Sequence, residues 1–426
     1  MAVKSGDNVE ITTKDEVLEG ILMPSKKGKM IVKLKSGYNL SLDKKEVKKV
    51  KKVIEKKKKS IIKKKKVISK KGLKEIVILH CGGTFASKVD YTTGAVSAKF
   101  GPEELLEMFP EVGEIANIRS RLIRNMFSED MNFRHYNLIA NEIYKEVKKG
   151  VDGIIITHGT DTLHYTSAAL AFILENLDVP IILVGAQRSS DRGSSDAFLN
   201  LYCAVKFIVE SDFSEVAICM HESLNDINCS ILPACKTRKL NSSRRDAFKA
   251  INVSAFARVN KKDVKYLRTD FKRRDNKREL ELKLFKDVNV GILRVHPGMK
   301  VEEIKCFSRY DGLVIEGTGL GHMPVSKTDE FTSENSKIFI EMKKLAKKIS
   351  VVMTTQCIFG RVNMNVYSNG ILLKEIGVLG NLLDLTTEAA FIKMSWLLSN
   401  YPKEVRYKIG VDFRGEIGKR TSEKFI

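Results

Sequence analysis

Hydrophobic and polar positions follow different patterns in different parts of this 426-residue chain. In residues 1–43, apolar and polar residues alternate in four short runs at 7–12, 17–22, 28–34 and 38–42, separated by Gly, Pro or Ser. A period of two is typical of strands that bury one face. These runs therefore predict a small β-barrel of the SH3 or Sm type over residues 1–43.

From residue 74 onward, short apolar runs alternate with stretches of helical period. The runs at 76–79, 153–157, 181–184 and 216–220 predict strands buried on both faces, and 103–109, 133–148, 167–176 and 196–210 predict helices. Repeated strand and helix units indicate a parallel sheet with right-handed crossovers. We expect residues 74–258 to form the larger α/β domain.

A polar segment at 259–286 predicts a connector, and a second set of α/β signals follows it. Apolar runs at 288–295, 312–315 and 349–353 predict strands, and 301–307, 334–347 and 387–399 predict helices. Residues 287–426 should therefore form a smaller α/β domain. The predicted fold class is α/β, with two parallel-sheet domains preceded by a small N-terminal β-barrel.

The net charge of +22 comes mainly from one segment. Between Lys44 and Lys74, seventeen lysines face only Glu46 and Glu55, so this stretch carries fifteen of the net positive charges. We interpret 44–73 as a lysine-rich linker. Lysines without interleaved aromatic residues can neutralise phosphates but cannot read bases. A solvated linker and an RNA contact both remain open for it.

Composition narrows the cellular setting and the chemistry. The N-terminus lacks the apolar stretch of a secretion signal, and no later run is long enough to cross a bilayer. Seven cysteines without a C-x-x-C pair indicate thiols in a reducing compartment, so we expect a cytoplasmic protein without membrane contact. The seven histidines are dispersed, and we expect no metal site.

The strand at 76–79 runs into a glycine turn that carries a hydroxyl group. Gly82 and Gly83 allow a tight turn and let another group approach the backbone closely. Thr84 follows at the carboxyl end of the strand, where open α/β sheets bind their ligands. A hydroxyl placed there, with peptide N–H groups beside it, has the parts of a nucleophile with an oxyanion site.

A second apolar strand, at 153–157, ends in a similar turn, His-Gly-Thr-Asp-Thr. Two such turns on neighbouring strands would place Thr84 opposite Thr160 and Asp161 across one crevice. The alternative is that Thr160 and Asp161 cap the next helix, because Thr and Asp often satisfy its free N–H groups. The pairing of the two turns favours a site.

Both turns resemble the signature motifs of the bacterial-type L-asparaginase/glutaminase family. Residues 80–87 read H-C-G-G-T-F-A-S, residues 91–95 read Y-T-T-G-A, and residues 156–162 read I-T-H-G-T-D-T. The resemblance extends over about residues 75–394. It implies that Thr84 is the nucleophile with Tyr91 beside it. It further implies a second half of the site formed by Thr160, Asp161 and Lys239.

The same resemblance assigns the substrate-binding residues. The segment 125–131, N-M-F-S-E-D-M, is similar to the family segment that holds the α-amino and α-carboxylate groups of the substrate. It implies that Ser128 and Glu129 bind this head group. Gly83 and Gly159, in the two turns, are expected to line the same site.

Residues 237–248 resemble the strand that carries the active-site lysine of the family. The nine-residue spacing from Lys239 to Phe248 favours Lys239 over Lys236. A threonine hydroxyl needs a base or relay to remove its proton. By the resemblance, a lysine held against Asp161 hands protons through Thr160. Attack on a side-chain amide would then give an acyl-enzyme and ammonia, and water would release the acid.

Within that family, the chain resembles the D subunits of archaeal glutamyl-tRNA(Gln) amidotransferases. The leading barrel and the segments 236–252 and 355–367 carry this likeness. It implies a glutaminase subunit of a ligase complex in protein biosynthesis, which supplies ammonia to convert Glu-tRNA(Gln) to Gln-tRNA(Gln). A separate E subunit would bind tRNA and use ATP with Mg²⁺, while this chain would hold no cofactor. A homodimer core within a heterotetramer is expected.

Two other functions are compatible with parts of the sequence. One is a stand-alone cytoplasmic L-asparaginase/glutaminase with an appended barrel, acting on asparagine or glutamine. The other is an RNA-binding scaffold with an inactive core, which the intact set of site residues argues against. Cys81 precedes the glycines and predicts a small buried strand residue rather than a nucleophile. The loop from Gly317 to Gly321 breaks the dinucleotide-binding spacing.

Overall fold

The computed structural model describes residues 3–14, 16–25, 28–34, 39–53, 70–83, 87–89, 96–98, 109–189, 194–275 and 277–420. These residues form an N-terminal antiparallel sheet, a large α/β unit and a smaller α/β unit. The predicted fold class is thereby confirmed. No helix within the described ranges is both long enough and apolar enough to cross a membrane.

The N-terminal unit is a five-stranded antiparallel sheet in the order β4-β3-β2-β1-β5. Its strands are β1 (Asn8–Thr12), β2 (Val17–Met23), β3 (Lys29–Leu34), β4 (Asn39–Asp43) and β5 (Lys49–Lys52). Alternate residues bury a small core of Val9, Ile11, Leu18, Val32 and Leu42. Such a sheet is consistent with the predicted small barrel, and four of its strands coincide with the four predicted runs.

The fifth strand lies in the segment 44–73 that the sequence assigns to the linker. Its residues, Lys-Val-Lys-Lys, include one apolar side chain, so no alternation marks them as a strand. Pairing with β1 supplies the backbone hydrogen bonds that the lysine-rich sequence does not predict. The sheet therefore extends further along the chain than the predicted boundary at residue 43. Residues 54–69 of the linker lie outside the described residues.

The large unit is built on an eight-stranded sheet in the order β18-β17-β14-β13-β12-β10-β6-β9. The strands from residue 75 to residue 282 are β6 (Glu75–Gly82), β7 (Ser87–Val89), β8 (Val96–Ala98), β9 (Asn117–Met126), β10 (Gly153–Thr157), β11 (Leu174–Glu175), β12 (Ile181–Val184), β13 (Val216–His221), β14 (Cys229–Pro233), β15 (Thr237–Lys239), β16 (Phe248–Ala250), β17 (Ala257–Val259), β18 (Val264–Tyr266) and β19 (Glu281–Leu282). The four predicted strands form its centre, in parallel, as β6, β10, β12 and β13.

Helices cover both faces of this sheet and leave its central strands buried. They are α1 (Val112–Ile115), α2 (Phe133–Val147), α3 (Leu163–Ile173) and α4 (Ala197–Glu210). The helix α3 begins four residues before the predicted start at 167. Three residues of its first turn, His, Tyr and Thr, have modest helix propensity, and the burial of Leu163, His164 and Thr166 stabilises this turn instead. Most of the helix predicted at 103–109 lies outside the described residues.

Several strands of the sheet were not predicted. The edge strand β9 carries three arginines and exposes many of its side chains, so its sequence lacks the apolar run of its parallel neighbour β6. Two short strands, β18 and β19, lie within the 259–286 segment interpreted as a connector. The strand β18 forms because β17 of the large sheet pairs with it, and β19 forms because it pairs with β11 in a separate two-stranded sheet. A polar sequence reveals neither partner.

The smaller unit has a three-stranded parallel sheet of β20 (Val290–Arg294), β21 (Gly312–Gly317) and β22 (Ser350–Thr355). Its helices are α5 (Val301–Lys305), α6 (Ser333–Lys348), α7 (Ser368–Glu375), α8 (Thr387–Asn400) and α9 (Val405–Lys408). The helix α8 is buried against α3 of the large unit, where the rings of Phe172 and Trp396 lie 5.3 Å apart. The two α/β units therefore share one hydrophobic core cluster, while each unit also has a cluster of its own.

Candidate active site

Two loops meet at the carboxyl edge of the large sheet, where the parallel strands β6 and β10 end side by side. Gly83 has a φ of +79°, and a Cβ atom on it would overlap the backbone of Gly159. A Cβ on Gly159 would lie 2.9 Å from the Oγ of Ser128. Only glycine allows this close approach, so the two turns and the segment around Ser128 converge on one place.

Lys239 joins this place from a different part of the chain. Its Nζ atom donates hydrogen bonds to the Thr160 Oγ1 at 2.9 Å and to the Asp161 Oδ1 at 2.7 Å. The side chain of Lys239 is 9% exposed, whereas that of Asp161 is 66% exposed. The amine is thus enclosed by protein, while the carboxylate that faces it is open to a ligand arriving from solvent.

A short hairpin positions Lys239. Its strand β15 pairs with β16, and Lys239 lies directly opposite Phe248, the residue whose spacing singled it out. Lys236, the alternative, is fully buried and forms an ion pair with Asp384 at 2.7 Å. Burial lowers the pKa of Lys236, and the Asp384 carboxylate opposes that shift. The structure therefore brings Lys239, and not Lys236, to Thr160 and Asp161.

The predicted head-group residues lie beside the second turn. Ser128 is buried at the start of a 3₁₀ turn, Ser128–Asp130. Its carbonyl oxygen accepts a hydrogen bond of 2.6 Å from the Thr162 hydroxyl. Glu129 is exposed on the same turn. Among the described residues, no hydrogen bond or ion pair joins Glu129 to Thr160, Asp161 or Lys239.

The side chains of Thr160 and Asp161 do not cap helix α3. The N-cap position is Thr162, and its side chain makes no capping hydrogen bond because it binds the Ser128 carbonyl instead. Asp161 contacts Lys239. The alternative that Thr160 or Asp161 serves as a helix cap is therefore wrong.

Two buried histidines, His80 and His158, form hydrogen bonds next to the two turns. The sequence did not single them out, because histidine was considered there only as a metal ligand. His158 places its Nδ1 2.7 Å from the Gly159 carbonyl, which can only accept, so Nδ1–H donates and Nε2 faces the Thr166 hydroxyl at 2.9 Å. Burial lowers the pKa of His158 to about 4, which keeps it neutral near pH 7.

His80 plays the corresponding part in strand β6. Its ring nitrogens lie 2.8 Å from the Thr157 Oγ1 and 2.7 Å from the Ser120 Oγ. Burial lowers its pKa to about 4 as well. The position of each histidine at the carboxyl end of an apolar strand was the available signal.

A second set of missed residues lies around Arg238, the residue that precedes Lys239. The Nε of Arg238 lies 3.0 Å from the Oε1 of Glu388, which belongs to helix α8 of the smaller unit. Burial raises the pKa of Glu388, and the Arg238 charge opposes that shift. Burial lowers the pKa of His164 to about 3, and the charges of Arg238 and Lys239 add to this. No local pattern could have linked residue 388 to this site.

The remaining predicted residues need separate mention. Thr84 and Tyr91 lie outside the described residues. Cys81 is fully buried, and burial raises the pKa of its thiol to about 12, so it is not poised as a nucleophile. Within the described parts of the chain, no group of three or more His, Cys, Asp or Glu residues is placed to hold a metal ion.

Three comparisons with known proteins show the family and the fold of this chain. Residues 75–272 match the family described as "Asparaginase, N-terminal", residues 289–407 match the "Glutaminase/Asparaginase C-terminal domain", and residues 3–53 match the "GatD N-terminal domain". The fold is similar to the solved thermostable L-asparaginase of Thermococcus kodakarensis, with a TM-score of 0.71 and 29% identity, covering 81% of this chain and 100% of that chain. It is also similar to L-asparaginase I of Vibrio cholerae, with a TM-score of 0.69 and 26% identity, covering 81% of this chain and 99% of that chain.

The sequence relatives are more specific. The chain is 42% identical to the glutamyl-tRNA(Gln) amidotransferase D subunit of Methanococcus maripaludis strain C6, covering 97% of each chain. It is 38% identical to the protein of the same name from Pyrococcus abyssi, covering 97% of this chain and 95% of that relative. The resemblance that the motifs indicated is confirmed. This chain belongs to the family of glutamyl-tRNA(Gln) amidotransferase D subunits, within the wider asparaginase and glutaminase family.

Proposed function

We propose that this chain is the glutaminase subunit of a tRNA-dependent amidotransferase. The convergence of Lys239, Thr160 and Asp161 is the observation that carries the proposal, because it assembles an amine, a hydroxyl and a carboxylate at the edge of a parallel sheet. The family membership supports the same class of reaction. The substrate would be the side-chain amide of glutamine.

In the proposed reaction, the Thr84 hydroxyl attacks the amide carbon of glutamine. Thr84 follows Gly83 directly in the chain, and Gly83 packs against Gly159 in the loop that carries Thr160. The hydroxyl proton passes toward the Thr160 and Lys239 relay and then to the leaving nitrogen, which departs as ammonia. Water next attacks the acyl-enzyme, releases glutamate and returns the proton to Thr84. Tyr91 is proposed to lie beside the nucleophile.

The head group of glutamine carries a positive and a negative charge, and the site offers polar groups for it. Asp161 uses one oxygen for Lys239 and keeps most of its side chain exposed, so it can also face the α-ammonium group. Glu129, on the exposed side of its turn, is proposed to reach the same ammonium. Ser128 and the glycine turns would supply hydrogen-bond donors to the α-carboxylate and the developing oxyanion.

The released ammonia is proposed to serve a partner subunit. The relatives are named as D subunits of an amidotransferase, which supports assembly of this chain with an E subunit that binds Glu-tRNA(Gln). ATP and Mg²⁺ are proposed to act on that partner, where the glutamyl group is activated before ammonia converts it to Gln-tRNA(Gln). The proposed assembly is a heterotetramer around a homodimer of this chain, without a cofactor here.

The test compares glutamine hydrolysis by the purified chain alone with hydrolysis by its complex with the E subunit, Glu-tRNA(Gln) and ATP. The proposal expects glutamate release to be coupled to formation of Gln-tRNA(Gln), with both lost in Lys239→Ala. Hydrolysis in the complex that is never coupled to Gln-tRNA(Gln) would contradict the role.

The second candidate is an independent L-asparaginase or glutaminase. The likeness of the fold to solved L-asparaginases favours it. A fast rate on asparagine or glutamine that does not change when the partner and charged tRNA are added would support this candidate over the first.

A further inference from the structure

The three cationic residues at the start of the β15 hairpin point in two directions. Lys236 and Arg238 reach into the smaller unit, where they bind Asp384 at 2.7 Å and Glu388 at 3.0 Å. Lys239, which follows Arg238 in the chain, points in the opposite direction and contacts Thr160. Successive side chains of a strand point to opposite faces, so contacts on one face restrict where the other face can lie.

The partner of Arg238 is held firmly. Glu388 lies in the first turn of helix α8, whose N-cap Thr386 accepts a hydrogen bond from the Ala389 backbone N–H at 3.2 Å. Most of α8 is buried against α3 and β21. His164 approaches Glu388 at 3.9 Å, but its burial keeps the imidazole neutral. Among the described residues, Arg238 is therefore the only cation paired with Glu388.

Asp384 provides the second anchor. Lys236 Nζ donates to its backbone carbonyl at 2.7 Å, and the Gly418 N–H donates to its Oδ1 at 2.8 Å. Asp384 thus ties the hairpin to the C-terminal segment. The strand β15 has only three residues paired with β16, so backbone pairing within the hairpin gives it little rigidity of its own.

We propose that the Arg238–Glu388 ion pair is a positioning device through which the smaller domain holds the strand of Lys239 in register with Thr160 and Asp161. Arg238 is a positioning residue, because it contacts neither of those groups and acts through the adjacent peptide. The expected effect on catalysis rests on the proposed function. Arg238 should affect the rate because a displacement of about 1 Å at a reacting group can lower a rate by about 100-fold.

The experiment compares Arg238→Met, Arg238→Lys and Glu388→Gln with a matched control, Arg268→Met. Arg268 is a partly buried arginine paired with Asp270 at 2.7 Å, and it does not touch the hairpin. Each protein is assayed in complex with its partner for kcat and KM toward glutamine. Hydrogen exchange of the segment 236–250 is measured by mass spectrometry on the same preparations, together with the thermal midpoint.

We expect Arg238→Met to lower kcat by about 10- to 100-fold with KM changed by less than about threefold. Arg238→Lys should recover part of kcat, and exchange in 236–250 should accelerate in Arg238→Met but not in Arg268→Met. If Arg238→Met fails to fold, the isosteric Glu388→Gln decides between the same outcomes. A kcat within about twofold of the Arg268→Met value in a folded variant would overturn the proposal.

The exchange measurement separates this proposal from the proposed function. If the unmodified complex does not hydrolyse glutamine, the proposed function fails, and the exchange rates still report whether Arg238 holds the hairpin. Exchange in 236–250 that is equal in Arg238→Met and Arg268→Met would then overturn the positioning role. Faster exchange confined to Arg238→Met would support it.

Discussion

The carboxyl edge of the large sheet and the junction between the two α/β units contain the same chemical pair in different surroundings. Lys239–Asp161 at the edge, and Lys236–Asp384 and Lys393–Glu416 at the junction, each join an ammonium and a carboxylate at 2.7 Å. The junction pairs are almost wholly buried, whereas Asp161 is largely exposed. The comparison shows that the three pairs differ in solvent exposure and not in distance. Only a pair with an exposed carboxylate can be reached by a substrate, whereas a buried pair acts on the stability of the fold alone.

The physical reason lies in desolvation. A buried pair whose partner is removed leaves an uncompensated charge in a medium of low polarity, which strongly destabilises the folded state. An exposed carboxylate that loses its lysine is solvated by water instead, so stability changes little. Substitutions at the two regions should therefore affect different quantities: activity at the sheet edge, and the free energy of unfolding at the junction.

The largest effect is expected for Lys239→Ala, which removes the amine of the proposed relay. Glutamine hydrolysis should fall by about 10²- to 10⁴-fold, the range typical of a general acid–base group. The free energy of unfolding should change by less than about 1 kcal/mol, because its carboxylate partner is exposed. Steady-state kinetics and urea unfolding on the same sample check both parts. A variant with unimpaired kcat would remove the lysine from the mechanism.

At the junction, Lys393→Met should lower the free energy of unfolding by about 3–5 kcal/mol, because Glu416 would be left buried without its cation. The folded fraction should retain a larger share of activity than Lys239→Ala does. Replacing both partners, as Lys393→Met with Glu416→Gln, should restore part of the stability, because the neutral Gln side chain carries no buried charge and still offers an oxygen to the Phe413 and Arg414 N–H groups. Chemical denaturation measures the free energy of unfolding of each variant. If Lys393→Met were as stable as the parent, the buried ion pair would not contribute to stability.

A smaller effect for each residue involved should appear as the pH falls. The pKa of His80 and of His158 is depressed to about 4, and that of His164 to about 3, from an ordinary value near 6.5. Below pH 6.5, these three histidines therefore bind protons in the unfolded chain but remain neutral in the folded chain. The stability that neutral histidines contribute is present above pH 6.5 and is lost as pH falls toward 4.

The measurement is urea unfolding at pH 7 and pH 5. Each of these histidines should contribute a loss on the order of 1–2 kcal/mol over that interval. His80→Gln keeps polar atoms near Thr157 and Ser120 without titrating, so the variant should lose less stability than the parent between the two pH values. An identical loss in both proteins would show that His80 does not titrate on unfolding.

The smallest effect is expected at an exposed pair in the N-terminal sheet. Lys29 and Asp43 lie 3.5 Å apart with both side chains well exposed. Lys29→Ala should change the free energy of unfolding by less than about 0.5 kcal/mol and leave glutamine hydrolysis unchanged. Thermal unfolding and the activity assay check this. A loss comparable to that of Lys393→Met would contradict the role assigned to solvent access.

Much of the fold could be predicted from local patterns. The four central strands of the large sheet and the helix that begins at Phe133 lie where the apolar residues predict them. The reason is that burial on both faces of a strand, or on one face of a helix, requires apolar residues at regular positions. The edge strand β9 and the short strand β5 were missed. Each is stabilised by a neighbour's backbone and presents charged side chains to solvent, so its own sequence does not look like a strand.

The candidate site divides in the same way. The sequence by itself determined its residue types, since the two glycine turns and the spacing from Lys239 to Phe248 are local, and it determined the family. Only the tertiary structure decided that Lys239 reaches Thr160 and Asp161 together, and that Glu388 of the other domain pairs with Arg238. The reason is that these contacts join positions far apart in the chain, and chain folding, not local pattern, brings such positions together.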